Sequence, residues 1–176
     1  PTVVLQLDKD GEDELSAPLP IDVPEKSLKG VENLRKGYED FLELEYSADD
    51  EKNAKLILIR KDEEMKELTQ AAYDMIMEQN NYYEVAAGIY LGAATELRYA
   101  DMILRYPVPR KLSEMGQLVF QERLIGLVVE LEDGGKGRME KLVSNAIQTG
   151  IRGEWAEQAL EDLHFFFPLD YFPVPH

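Results

Sequence analysis

The chain contains no cysteine and only two histidines, His164 and His176. Without thiols it forms no disulfide, and thiolate catalysis and cysteine-based zinc sites are excluded. A serine–histidine hydrolase would have to rest on His164, because His176 is the last residue. None of Ser27, Ser113 and Ser144 sits in a GxSxG turn. Proline is missing between Pro24 and Pro107, which permits long uninterrupted helices. Long apolar runs are missing too. The densest, residues 85–94, is about half of the roughly 18 residues that a membrane span needs. There is no basic segment followed by an apolar leader at the start. The expectation is a soluble, membrane-free protein of the cytoplasm, or of the host cytoplasm or virion if it is viral.

Positive charge is scarce. Thirty-five Asp and Glu face nineteen Lys and Arg, a formal net charge of −16. Such a field repels phosphate backbones and anionic lipid and favours basic protein surfaces. The acidity is densest early, with 18 acidic and 9 basic side chains in residues 1–64.

A chain of 176 residues buries a core of its own without a metal or disulfide staple. The pattern predicts a mainly α protein, a bundle of five to six helices. Residues 1–26 read as an extended, proline-bearing N-terminal arm, residues 27–164 as the bundle, and residues 165–176 as an aromatic and proline-rich C-terminal arm. Residues 2–8 are strand-like and could form a small two-stranded β element with residues 55–60. Residues 55–60 equally continue a helical stripe of Ile57, Lys61, Met65, Leu68, Ala72 and Ile76, and the helical reading is preferred.

The first helix is expected over residues 27–46, with Val31, Leu34, Tyr38, Phe41 and Leu42 on one face, and Ser47 caps the next. Asn81 with Glu84 marks the start of a third helix over residues 82–106. It is apolar on most faces and therefore central. Gly88 and Gly92 would let a neighbouring helix approach closely. A fourth helix follows Pro109, with Met115, Leu118, Val119, Leu124 and Val128 among its apolar positions. Residues 132–138, EDGGKGR, read as a flexible turn. A fifth helix over residues 139–149 stops at Gly150, and a sixth over residues 154–166 buries Trp155, Ala159, Leu160 and Leu163.

Glu63, Glu64 and Glu67 stand as EExxE on the second helix. This resembles the first motif of all-α nucleoside-triphosphate pyrophosphatases of the MazG type, in which an ExxD on the next helix completes a Mg²⁺ site. The resemblance implies Mg²⁺ held by these three carboxylates, and magnesium takes carboxylates while keeping several waters. The second half departs from the pattern. Glu96 and Asp101 are five residues apart, and Glu130 with Asp133 lies two helices on. The competing reading of EExxE is a solvated acidic face, with no cofactor.

Other constellations are weaker. Glu161 and His164 make a single ExxH, whereas a di-iron bundle needs two. GGKG at residues 134–137 lacks the spacing of a phosphate loop. Residues 142–160 carry helix-turn-helix spacing, but the reading helix would bear Glu154, Glu157, Glu161 and Asp162, which duplex DNA repels. Arg98, Arg105, Arg110 and Lys111 form one locally basic segment, expected to neutralise acidic surface.

The C-terminal segment crowds Phe165, Phe166, Phe167, Leu169, Tyr171 and Phe172 together. Such residues either pack on their own core or insert into a partner. The sequence therefore leads to a non-catalytic interaction or assembly protein that oligomerises or docks on protein partners through its terminal arms. Small viral structural and accessory proteins share this profile. The alternatives are an acidic mimic of nucleic acid that inhibits a DNA- or RNA-binding enzyme, and the Mg²⁺-dependent pyrophosphatase.

Overall fold

The computed structural model describes residues 23–43, 51–151 and 153–171. The expected strand at residues 2–8, the proline-bearing arm up to residue 22, residues 44–46 of the first helix, the Ser47 cap and Phe172 lie outside them. Five helices make up the described residues: α1 (Glu25–Glu43), α2 (Glu51–Glu78), α3 (Tyr82–Leu104), α4 (Glu114–Thr149) and α5 (Glu154–Phe166). The protein is mainly α. No strand occurs among the described residues, and residues 55–60 are helical within α2. No helix there is long and apolar enough to cross a membrane.

α3 is the centre of the bundle, as its all-round apolar sequence requires. It packs against each of the other four helices. α2 and α4 flank it and share the smaller core cluster, to which α2 contributes Met65 and α4 contributes Val128. α1 rests on α2 and α3, and α5 rests on α3 and α4. Leu91, Leu97 and Ile103 of α3 are almost completely buried, each stabilising the fold by about 1.5–3 kcal/mol relative to exposure. The two glycines of α3 set its distance from α2. A β-carbon on Gly88 would lie 2.9 Å from the Ala72 carbonyl oxygen, and one on Gly92 would lie 3.2 Å from the Ala72 β-carbon.

Helix ends follow the sequence signals. The Asn81 side chain accepts a hydrogen bond from the Glu84 backbone N–H at 2.9 Å. Its amide also donates to the Ser27 hydroxyl at 2.8 Å, which fastens the start of α1 to the α2–α3 turn. Ser113 caps α4 through the Gly116 N–H. Gly150 ends α4 in the left-handed region, with φ of 69°, where glycine carries no steric penalty. α3 stops at Leu104, two residues before the expected Tyr106, and residues 105–113 form the α3–α4 connection.

One expectation is overturned. Residues 132–138 are not a flexible turn but the middle of α4, so the expected fourth and fifth helices are a single helix of 36 residues, about 54 Å long. The physical reason lies in α3. A β-carbon on Gly135 would meet Leu97 Cγ at 2.8 Å and the Ala93 carbonyl oxygen at 3.1 Å. Gly135 is buried at the crossing of the two helices, and Arg138 of α4 pairs with Glu96 of α3 beside it. Gly135 serves helix packing, and neither it nor Gly134 and Gly137 breaks the helix.

Candidate interaction surface

The EExxE carboxylates divide between two environments. Glu64 and Glu67 line a cleft of about 510 Å³ between α1 and α2, with Asp40 and Arg60 beside them and Leu34, Phe41, Leu68 and Met75 along its apolar part. Glu63 is exposed and does not line the cleft. Glu64 is already engaged by two cations, Arg60 at 2.8 Å and Lys61 at 3.3 Å. Lys61 is fully buried. Its ammonium group donates to the Phe41 carbonyl near the end of α1 and stands 4.6 Å from the Phe41 ring centroid. On α3, Glu96 pairs with Arg138 and Asp101 with Arg105. Among the described residues, no three His, Asp or Glu side chains are grouped to hold a metal ion. Glu64 is therefore ion-paired and forms a cleft wall with Glu67, while Glu63 faces outward.

The aromatic C-terminal segment divides as well. Phe165 and Phe166 are the last residues of α5. Phe166, Phe167 and Tyr171 pack against the main core. The Tyr171 hydroxyl bonds the Glu140 carboxylate, which together with burial raises its pKa above the ordinary tyrosine value. Lys136 reaches Asp170 at 2.6 Å and lies 4.9 Å from the Phe167 ring centroid. Phe165 and Leu169 stay outside, 68% and 83% exposed. The exposed His164 stacks near Tyr171, with ring centroids 6.0 Å apart.

Of the locally basic segment, Arg98 is drawn inside the molecule, Arg105 pairs with Asp101 at 3.2 Å, and the Arg110 side chain is 78% exposed. Arg98 stands beside the Tyr38 hydroxyl and lies over the rings of Phe165 and Phe166. The Arg110 N–H donates to Glu51 at 2.9 Å. Beside Arg98 a buried polar set ties α1, α3 and α5 together. Asp162 accepts from the Tyr90 hydroxyl at 2.7 Å and from Gln158 at 3.2 Å. Burial, followed by the Asp162 carboxylate, holds the Tyr90 pKa far above the usual value. Trp155 sits between Tyr83, Tyr90 and Arg35, and Arg35 also pairs with Glu154 at 3.6 Å. Asp162, Tyr90 and Gln158 satisfy one another and lock α3 to α5, whereas Arg98 Nε and Trp155 Nε1 are buried without a hydrogen-bond partner.

The N-terminal half of α4 is different. Leu124 and Val128 face the secondary core beneath Tyr99, Ala100 and Ile103, and the Phe120 ring lies 5.9 Å from that of Tyr106. α5 packs against the other half of α4, where Met139, Leu142, Val143 and Ala146 are buried. At 100° per residue, Met115 and Val119 fall roughly 140–180° from Val128, and Leu118, Ile125 and Val129 flank them at roughly 60–100° from Val128; all five are exposed, Met115 by 69%. Glu122 and Gly126 lie on the same side, exposed, and a β-carbon on Gly126 would meet nothing within 4 Å. Single exposed apolar residues are ordinary, but a contiguous stripe over four turns marks an interaction site. The sequence pattern identified Met115, Leu118 and Val119 as apolar positions of this helix. It did not divide them from Leu124 and Val128, although helical rotation sets Met115 and Val119 roughly 140–180° from those two.

Comparison with protein-family models, with curated proteins and with solved structures finds no match to this chain.

Proposed function

We propose that this protein is a non-catalytic helical interaction protein that docks a protein partner through the outward side of α4. The observation that carries the reading is the exposed apolar stripe from Met115 to Val129, on a stretch of helix that reaches the core through Leu124 and Val128. Leaving such side chains in water forgoes on the order of 1 kcal/mol each, a cost that a bound partner removes. Phe165 and Leu169 add a smaller exposed apolar region at the end of α5. The scarcity of charge along the stripe supports apolar recognition. Residues 114–129 hold only Glu114, Glu122 and Arg123 in a chain of net charge −16.

The test is affinity capture of the full chain from its native host at about 0.5 M salt, where charge attraction is screened within a few ångströms. Wild type is expected to retain a protein partner that a Leu118→Gln/Ile125→Gln variant loses. A partner that binds both chains equally and leaves at that salt would contradict the reading and move the function to the acidic surface.

A further inference from the structure

We infer that the outward side of α4 is a self-association surface whose occupant is α4 of a second copy, running antiparallel. The inference rests on the reading of this side as a docking surface and names what docks there. Met115, Val119, Glu122, Gly126 and Val129 follow one another at spacings of four, three, four and three. That is the four–three spacing of a coiled-coil seam, apolar at three of these five positions. All five residues are exposed, so the seam is unoccupied among the described residues.

Three features select a second copy. First, charge: residues 114–129 carry two acidic residues and one basic, so two such stretches meet with little repulsion. Most other surfaces of a −16 molecule would bring carboxylates together. Second, packing: Gly126 leaves a gap in the seam with no side chain within 4 Å. Third, the polar pair. A parallel arrangement would set Glu122 against Glu122. An antiparallel one centred between residues 122 and 126 lays Glu122 across Gly126 of the second copy, within reach of that copy's Arg123. The contact repeats by two-fold symmetry, so it closes at two copies. A polar residue at a seam position fixes register and partner number at some loss of affinity. A four-turn pair about 20 Å long buries less than the roughly 800 Å² per partner of a standard interface. The dimer is therefore expected to be weak and reversible.

The experiment is sedimentation velocity on the full chain from about 5 to about 500 µM, with Glu122→Arg and Arg123→Glu variants singly and mixed. Both sites point away from the core, and circular dichroism melting checks that each variant stays folded. Wild type is expected to shift from monomer to dimer over this range. Each single variant is expected to dimerise at least ~10-fold more weakly, since each faces like with like. An equimolar mixture restores both opposite-charge contacts and is expected to recover the dimer as a heterodimer. A wild type that stays monomeric throughout would overturn the inference, as would a mixture no stronger than its components. A monomeric wild type whose host partner is nevertheless lost with Leu118→Gln/Ile125→Gln would overturn the second copy as occupant and leave the docking surface standing.

Discussion

Lys61 is a fully buried ammonium group in an acidic molecule, and its position explains how α1 ends. The last turn of α1 carries no basic residue of its own, although its unpaired carbonyls favour a cation. Lys61 arrives from α2, donates to the Phe41 carbonyl and faces Glu64. Removing the Lys61 side chain leaves the Phe41 carbonyl without its donor, takes one cation from Glu64 and opens a cavity. Lys61→Ala is therefore expected to lower the unfolding free energy by about 2–4 kcal/mol, read from urea denaturation. A loss below about 0.5 kcal/mol, typical of surface substitutions, would contradict the buried role. The helical stripe in the sequence already placed Lys61 among apolar positions. What it could not supply was the reason, because the acceptor lies twenty residues away on another helix. The same holds for Glu64: the spacing of EExxE was legible, but its pairing with Arg60 and Lys61 depends on how α2 faces α1.

α4 shows most plainly where local signals are ambiguous. Glycine reads equally as a turn former and as a site of close helix approach, and only the neighbouring helix decides between them. Gly135 and Gly137 stand two residues apart and separate the cases. Gly135→Ala is expected to destabilise by about 1–3 kcal/mol, because its β-carbon intrudes on Leu97 and Ala93. Gly137→Ala meets nothing within 4 Å and is expected to stabilise by about 0.5–1 kcal/mol through helix propensity. Near-neutral effects at both positions in thermal melts would contradict a continuous helix. The two sides of α4 divide in the same way. Val128→Ala, in the core, is expected to cost about 1–3 kcal/mol, whereas Leu118→Gln, facing outward, should change monomer stability by less than about 0.5 kcal/mol. Comparable losses at both would mean that the outward side is covered within the monomer. The remaining elements were legible in the sequence because their signals agree. Proline-free length, the Asn81 cap and the Gly150 stop each fit the apolar spacing beside them. The C-terminal segment was legible in composition alone. Whether an aromatic residue turns inward depends on partners such as Glu140 and Lys136, which lie about thirty residues away.

At the scale of the whole molecule, the charge of −16 is a stability term as well as a partner signal. Glu132 illustrates it. Partial burial, followed by the nearby Asp133 and Asp101, raises its carboxyl pKa above the ordinary value, with Lys136 opposing. A carboxyl whose folded pKa is raised binds its proton more readily in the folded state. Its ionisation therefore costs stability as pH rises through the raised value, and the cost is relieved as pH falls. The melting temperature is expected to rise on lowering the pH from about 7 towards 5. Glu132→Gln should raise it at neutral pH and flatten the pH response. A melting temperature that falls steadily from neutral pH downward, unchanged by the substitution, would contradict this assignment. The same repulsion confines close contacts between acidic copies to charge-poor surface, and the outward side of α4 is such a surface. Sedimentation equilibrium of the full chain at about 0.5 mM and moderate salt tests that claim most directly. The account predicts a weight-average mass rising above the 20.1 kDa monomer towards two copies, and returning to the monomer with Leu118→Gln/Ile125→Gln. A wild type that remains at the monomer mass under those conditions would contradict it.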